Sequence, residues 1–306
     1  MLAMTHSYFV IRGIGMSFLF LLFFFIFGSI IGSFLNVVVL RYGTRTLSDR
    51  SLCFSCGKTL RWIELIPLLS FFFLKGRCRG CKSGISWQYP LVEFITGLVF
   101  AAIAWKEFPA ILSAFSSGTS SVLFLLTTNY ILLTILWSLL IALSVYDFKH
   151  KIIPDALVYS ACFISFLLFG ISYFIFHNSF LRDFVAGFLF AAPFAALWFF
   201  SKGRAMGLGD AKLIVLFPWF LGIAKGFSAL IIGFWLGAVV SLGALFLKTV
   251  ANYLPRRCCP NVRGNLKHLG MKTEFPLGPF LVLGLLLVYL FGWDVTGLGM
   301  LLQASF

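Results

Sequence analysis

The sequence predicts an all-α polytopic membrane protein of about eight transmembrane helices, with a small cysteine-bearing cytoplasmic module inserted after the first. Three observations carry that expectation. Of the 306 residues, 60% are hydrophobic and 11% charged, with a mean hydropathy of +1.00, far from the composition of a soluble domain. The apolar residues are gathered into runs of a length suited to crossing a bilayer, about 20 residues each. The basic residues fall in alternate connections: twenty of the 24 Lys and Arg lie in 41–90, 147–155, 201–212 and 248–275. Lys106, Arg182 and Lys225 stand singly in the intervening connections, and Arg12 precedes the first run. This alternation is the positive-inside pattern, which places the four rich loops in the cytoplasm. It also explains the formal net charge of +14 without nucleic acid, because no single folded basic face is built.

The runs give expected spans at 14–40, 90–105, 122–146, 156–176, 184–200, 211–224, 226–247 and 276–293, with both termini facing outward. The first is longer than a signal-peptide core and has no small-x-small cleavage site behind it, so it reads as a retained span. Pro218 interrupts the sixth, which is also short, as is the second. The domains expected are 1–40, the first span; 41–89, the inserted module; and 90–306, a seven-helix membrane domain.

The first span ends in Gly28-Ser29-Ile30-Ile31-Gly32-Ser33-Phe34-Leu35-Asn36, whose small residues at four-residue spacing let another helix approach closely. Asn36 needs a hydrogen-bond partner at that depth, and is also a candidate to orient a substrate backbone. The inserted module carries Cys53-x2-Cys56 and, after 21 further residues, Cys78-x2-Cys81. Two such knuckles close a tetrahedral thiolate site, so Cys53, Cys56, Cys78 and Cys81 are the expected ligands of a structural zinc ion. Cys162 reads as a small buried hydrophobe, and Cys258 with Cys259 has no matching pair nearby.

Ten acidic residues leave few candidates for chemistry. Asp49, Glu64, Glu107, Asp183, Glu274 and Asp294 lie where solvation or helix capping suffices. Glu93 stands near the start of the second span, positioned to snorkel or to line a polar cavity. Asp155 follows Pro154 and precedes an apolar helix, the position of an N-cap. Asp147 and Asp210 each adjoin an apolar run on the cytoplasmic side, and two carboxylates at one membrane face suggest an aspartyl protease. Such a pair shares one proton, so that one member activates water while the other polarises the scissile carbonyl. Gly207 and Gly209 are expected to let the backbone bend and a substrate chain come close, and Lys212 to support the anion of Asp210. From helix ends alone, Asp210 at a helix start is the expected base, and Asp147 at a helix end the initial acid.

Together these residues resemble one family, the bacterial type IV prepilin peptidases, which combine leader peptidase and N-methyltransferase activities and are related to other intramembrane GxGD aspartyl proteases. The resemblance runs through Gly32 to Val38, both cysteine knuckles, Gly76-Arg77-Cys78 to Tyr89-Pro90 and Glu93, Asp147 to Pro154-Asp155, and Gly207-Leu208-Gly209-Asp210-Ala211-Lys212. It implies cleavage of the basic leader of prepilins and pseudopilins after a glycine, with Asp147 and Asp210 catalytic. It further implies methylation of the new N-terminus from S-adenosylmethionine, in the bacterial inner membrane with the site at its cytoplasmic face. The motifs do not locate the methyl donor; Glu93 and Gly97 are the candidates for its site. The chain departs from the family in Glu64-Leu65-Ile66-Pro67, where an Asn ordinarily precedes Ile-Pro, and in the short run from Arg41 to Cys53.

A multispanning proton-coupled transporter with a cytoplasmic zinc module is the competing class. Transport sites lie near the bilayer midplane between broken helices, whereas both aspartates here belong to the cytoplasmic ends of their runs. A stand-alone methyltransferase lacks support, since no glycine-rich strand-to-helix fingerprint is present.

Overall fold

The computed structural model describes residues 2–43, 46, 49–118, 120–176, 180–204, 206–253, 276–295 and 297. Among them the chain is helical: α1 Leu2–Arg41, a 3-10 turn Trp62–Leu65, α2 Leu69–Phe73, α3 Gln88–Ser116, α4 Ser120–His150, α5 Asp155–Phe176, α6 Phe180–Ser201, α7 Leu208–Leu221, α8 Ile223–Tyr253 and α9 Gly278–Phe291. Cys258, Cys259 and most of the basic loop 248–275 lie outside the described residues. The chain forms two compact units, 1–142 and 143–306, and α4 contributes to both.

Among the described residues six helices are long and apolar enough to cross a membrane. Their exposed surfaces carry large apolar side chains such as Phe23, Ile30 and Phe34 on α1 and Phe188 and Leu189 on α6, a distribution that requires lipid as solvent. The expected span at 211–224 is α7, which has the same length of 14 residues but begins at Leu208, and that at 276–293 is the 14-residue α9. At 1.5 Å per residue each is about 21 Å long, short of a hydrocarbon layer of about 30 Å, so eight full spans are not found among the described residues. Both helices stop at a glycine of positive φ, Gly222 (φ 78°, ψ 171°) and Gly292 (φ 69°, ψ 18°), and the left-handed Gly292 is the ordinary C-terminal signal. In the other direction, α3 runs on through Lys106, Glu107 and Pro109 to Ser116, past the end expected at 105. Charges at a bilayer boundary mark where the water begins but do not terminate a helix.

In the first unit α1 packs on α3 through the small residues that the sequence singles out. A Cβ at Gly28 would lie 2.7 Å from Phe100 Cβ, and one at Gly32 would lie 2.8 Å from the Cα of Glu93. The same interface explains Gly97, where a Cβ would meet Ser29 Oγ at 2.6 Å and Phe25 O at 2.8 Å. Val92, Val99, Phe100 and Ile103 of α3 are buried.

In the second unit α7 is central, packing against α5, α6 and α8 and touching α9. Its Leu213, Ile214, Leu216 and Phe217 are fully buried, as expected of a helix that is apolar on all sides. Polar side chains of its neighbours cap its backbone: Ser165 Oγ donates to Leu216 O at 3.2 Å, and the Cys162 thiol points at Lys212 O at 3.6 Å. Trp219 on α7 donates in turn to Phe184 O on α6 at 3.0 Å, beneath Gly187, where any side chain would strike its indole. Asp183 is buried rather than solvated, with Arg182 at 3.2 Å. This packing fixes the start of α7, and hence Asp210, with respect to α5, α6 and α8.

Candidate active site and candidate metal centre

Asp147 lies in the last turn of α4, with only 4% of its surface exposed. Its Oδ2 accepts the backbone N–H of Gly278 at 3.1 Å, so the carboxylate faces the first residue of α9. Gly278 has no space for a side chain, because a Cβ there would stand 2.7 Å from Asp147 Oδ2. Gly278-Pro279 opens an apolar helix, with proline in the first turn where its missing N–H costs nothing. Sequence reasoning passed over Gly278; its only local signal was that of a helix start, 131 residues from its partner.

Asp210 is in the first turn of α7, three residues after the N-cap Gly207, and lies within electrostatic reach of Asp147. The structure therefore brings the two expected aspartates together in the second unit. The two flanking glycines act differently from expectation. Gly207 has an ordinary extended backbone (φ −73°, ψ 143°), and a Cβ on it would make only a 3.5 Å contact with Asp210 Oδ2. Gly209 is required by close packing: its Cβ would fall 2.6 Å from the Cβ of Ile153, in the segment that leaves α4 just after Asp147. Neither glycine supplies a sharp bend, but Gly209 lets the start of α7 seat against that segment.

Lys212 is placed elsewhere than on Asp210. Its ammonium is 2.6 Å from Asp155 Oδ1 and lies 4.9 Å over the ring of Tyr159, both on α5. Asp155 is the first residue of α5 and well exposed. The helix-end asymmetry between the aspartates also changes. Asp147 does sit at the negative end of α4, yet the N-terminus of α9 meets it with a direct donor, so both carboxylates face a positive helix end.

In the first unit the four cysteines converge, with their Sγ atoms all within 4.8 Å of one another and Cys53 and Cys81 3.9 Å apart. A tetrahedral zinc site with Zn–S bonds of about 2.3 Å separates its sulfurs by about 3.8 Å, so this donor set fits such an ion. The knuckles are built alike. Cys53 N–H donates to Lys58 O and Gly57 N–H to Cys53 O; Cys78 N–H donates to Ser83 O and Lys82 N–H to Cys78 O. Each is closed by one antiparallel bridge, Leu52 with Thr59 and Arg77 with Gly84. The backbone N–H groups of Cys56 and Ser55 hold the Cys53 thiol down to about 6. At Cys56 the Lys58 backbone acts in the same sense, but the neighbouring Cys53 and Cys81 thiols outweigh it and push the group up to about 11. Four thiols this close cannot all ionise unaided; a cation among them removes the conflict.

The remaining candidates have structural partners. Glu93, buried in α3, accepts the backbone N–H of Leu68 at 2.8 Å, where Leu68 holds a left-handed backbone (φ 59°) ahead of α2. Asn36 donates from Nδ2 to Tyr89 O at 3.2 Å, while its Oδ1 is buried among the described residues with no hydrogen-bond partner. The space beside Gly97 is taken by α1. Glu93 and Gly97 are thus both engaged in contacts within the fold.

Two family models match the chain: the bacterial peptidase A24 N-terminal domain over residues 26–107, and the type IV leader peptidase family over 132–242. The first covers the C-terminal part of α1, the cysteine knuckles and most of α3; the second runs from α4 into α8 and contains both aspartates. Among curated proteins, the prepilin leader peptidase/N-methyltransferase of Myxococcus xanthus is 32% identical over 78% of this chain and 66% of its own length. The type 4 prepilin-like proteins leader peptide-processing enzyme of Escherichia coli is 32% identical over 84% of this chain and 88% of its own. The prepilin leader peptidase/N-methyltransferase of Bacillus subtilis is 30% identical over 88% and 93%. No solved structure matches.

Proposed function

Because this chain belongs to the type IV leader peptidase family, we propose that it cleaves the basic leaders of prepilins and pseudopilins with Asp147 and Asp210 and methylates the new N-termini. The observation that carries the peptidase reading is the buried Asp147 carboxylate, held by Gly278 N–H within electrostatic reach of Asp210. A carboxylate that is desolvated, oriented by a backbone donor and next to a second one is arranged for acid–base chemistry. The Gly278 N–H orients an oxygen of Asp147, and on that geometry Asp147 is assigned as the base and Asp210 as the holder of the shared proton. This reverses the order expected from helix ends alone. Asp147 takes a proton from water as its oxygen attacks the scissile carbonyl, and Asp210 donates to the carbonyl oxygen. Collapse of the tetrahedral intermediate breaks the C–N bond; the proton on Asp147 leaves with the new amine, and one hydroxyl proton of the intermediate returns to Asp210.

Gly209 and Gly278 position the two carboxylates, and Lys212 with Asp155 ties α7 to α5 nearby. Cys53, Cys56, Cys78 and Cys81 hold zinc, which joins the two knuckles and stabilises residues 41–89 as a folded module between the span 1–40 and the membrane domain 90–306. The loops rich in Lys and Arg face the cytoplasm of a bacterial inner membrane, so the aspartates work at its cytoplasmic face. S-adenosylmethionine is the methyl donor that the methyltransferase activity implies, and its seat is not assigned to Glu93 or Gly97. Purified protein incubated with a leader-bearing prepilin and S-adenosylmethionine, followed by mass spectrometry, tests both activities. Release of the leader and a gain of one methyl group are expected. An intact substrate would refute the peptidase reading, and a cleaved but unmethylated product the methyltransferase one.

A further inference from the structure

We propose that the module 41–89 is seated on the bilayer and carries a binding site for the headgroup of an anionic phospholipid, in the cleft formed by Lys75, Arg77, Arg79 and Lys82 beside Phe73. The depth of the module is set by one hydrogen bond. Leu68 N–H donates to Glu93, which lies five residues into α3. At 1.5 Å per residue this places the start of α2 about 7.5 Å along the spanning helix from its first residue, at the level of headgroups rather than in free solution. A ring contact ties α2 to the same level, since the buried Phe71 packs on Trp87, the residue just before α3, with ring centroids 4.8 Å apart.

At this level the module exposes side chains that water disfavours. Phe72 is 64% exposed, Phe73 82% and Trp87 70%. Leu91, Phe94 and Leu98 are exposed along α3, a helix long and apolar enough to cross a membrane. Aromatic residues at the end of a span, next to lysine and arginine, have the composition of a membrane interface.

The charge specifies the lipid. A cleft of about 570 Å³ is lined by Phe73, Leu74, Lys75, Arg77, Cys78, Arg79 and Lys82, with four cations and no carboxylate. Glu64 acts on Arg79 but is itself paired with Lys58 at 3.5 Å. A tetrathiolate zinc centre adjoining at Cys78 carries two net negative charges, fewer than the four positive ones of the cleft. The surplus suits a phosphate, Phe73 at the rim suits an acyl chain, and the inner leaflet supplies both in one molecule. A basic peptide would be repelled from the same cleft.

The test uses the full-length zinc-loaded protein in nanodiscs, with spin-labelled phosphatidylglycerol or phosphatidylcholine as the probe of bound lipid. The parent is expected to immobilise phosphatidylglycerol in preference to phosphatidylcholine. The triple variant Lys75→Gln, Arg77→Gln, Lys82→Gln should lose that preference at least fivefold, while keeping its zinc content as evidence of a folded module. Phe73→Ser should weaken immobilisation of both lipids. Equal immobilisation of the two lipids by the parent would overturn the proposal. So would displacement of the lipid by millimolar inorganic phosphate, which would mark a simple anion site. A triple variant that keeps its lipid preference but loses leader cleavage in detergent would also overturn it, by assigning the cleft to the substrate. Lipid binding is read independently of peptide cleavage, so failure here is distinct from failure of the peptidase reading.

Discussion

The backbone N–H of Gly278 donates to the carboxylate of Asp147 at 3.1 Å, joining the end of α4 to the start of α9 across 131 residues of chain. The bond orients one oxygen of a buried acid, and the absence of a side chain at Gly278 is what allows the approach. Gly278→Ala is expected to displace Asp147 and lower leader cleavage about 10²-fold, the cost typical of a misplacement of about 1 Å. Membrane insertion and zinc content should be unchanged. Cleavage kinetics on a prepilin peptide check it, and near-parental kinetics would show that this contact does not position the acid.

The two glycines before Asp210 should separate under the same substitution. Gly209→Ala forces a Cβ to 2.6 Å from that of Ile153 and should reduce cleavage strongly, with a loss of roughly 1–3 kcal/mol of stability from overpacking. Gly207→Ala adds only an ordinary 3.5 Å contact at a φ that any residue adopts, so it should retain most activity. Thermal unfolding in detergent together with cleavage rates distinguishes the two. Equal damage from both substitutions would mean that Gly207 serves substrate approach rather than packing.

Zinc should be present at about one ion per chain, held by the four cysteines. Replacing Cys53 and Cys78 by Ser should abolish the metal and lower the amount of stable protein, because binding of structural zinc is coupled to folding. Elemental analysis of the purified parent and variant decides it; a metal content unchanged by the substitutions would remove the site.

The ion pair between Lys212 and Asp155 should matter little to the chemistry. Asp155 is largely exposed, and exposed pairs contribute about 0.2–1 kcal/mol. Asp155→Asn and Lys212→Ala should each keep cleavage within a fewfold of the parent, as measured on the same peptide.

How far the sequence reached depended on whether a signal was local. Apolar runs marked the helices, the C-x2-C spacings marked the knuckles, and the four-residue spacing of Gly28 and Gly32 marked the α1–α3 contact, because in each case the pattern lies along one stretch of chain. Partners from distant stretches were not legible. Gly278 read as a helix start, and nothing near it pointed to Asp147. Lys212 was assigned to Asp210 by proximity in sequence, but residues two apart on a helix do not face each other, and its long side chain reaches α5 instead. Gly97 drew attention as a ligand candidate, whereas its small size serves helix packing. The length of α9 was overestimated, and α7, expected with its actual 14 residues, begins three residues earlier than expected, because hydropathy records apolar character, while their glycine caps set where each helix stops.

The pairing of Asp147 with Asp210 is tested most directly by the leader-cleavage rate of Asp147→Asn and of Asp210→Asn, measured with purified protein whose zinc content and membrane insertion match the parent. Asparagine keeps the shape of the side chain and removes its proton exchange, so each variant should lose about 10²- to 10⁴-fold in rate, with Asp155→Asn as the active control. A near-parental rate from either variant would contradict the two-aspartate site, and an inactive Asp155→Asn beside an active Asp147→Asn would move the first acid to Asp155.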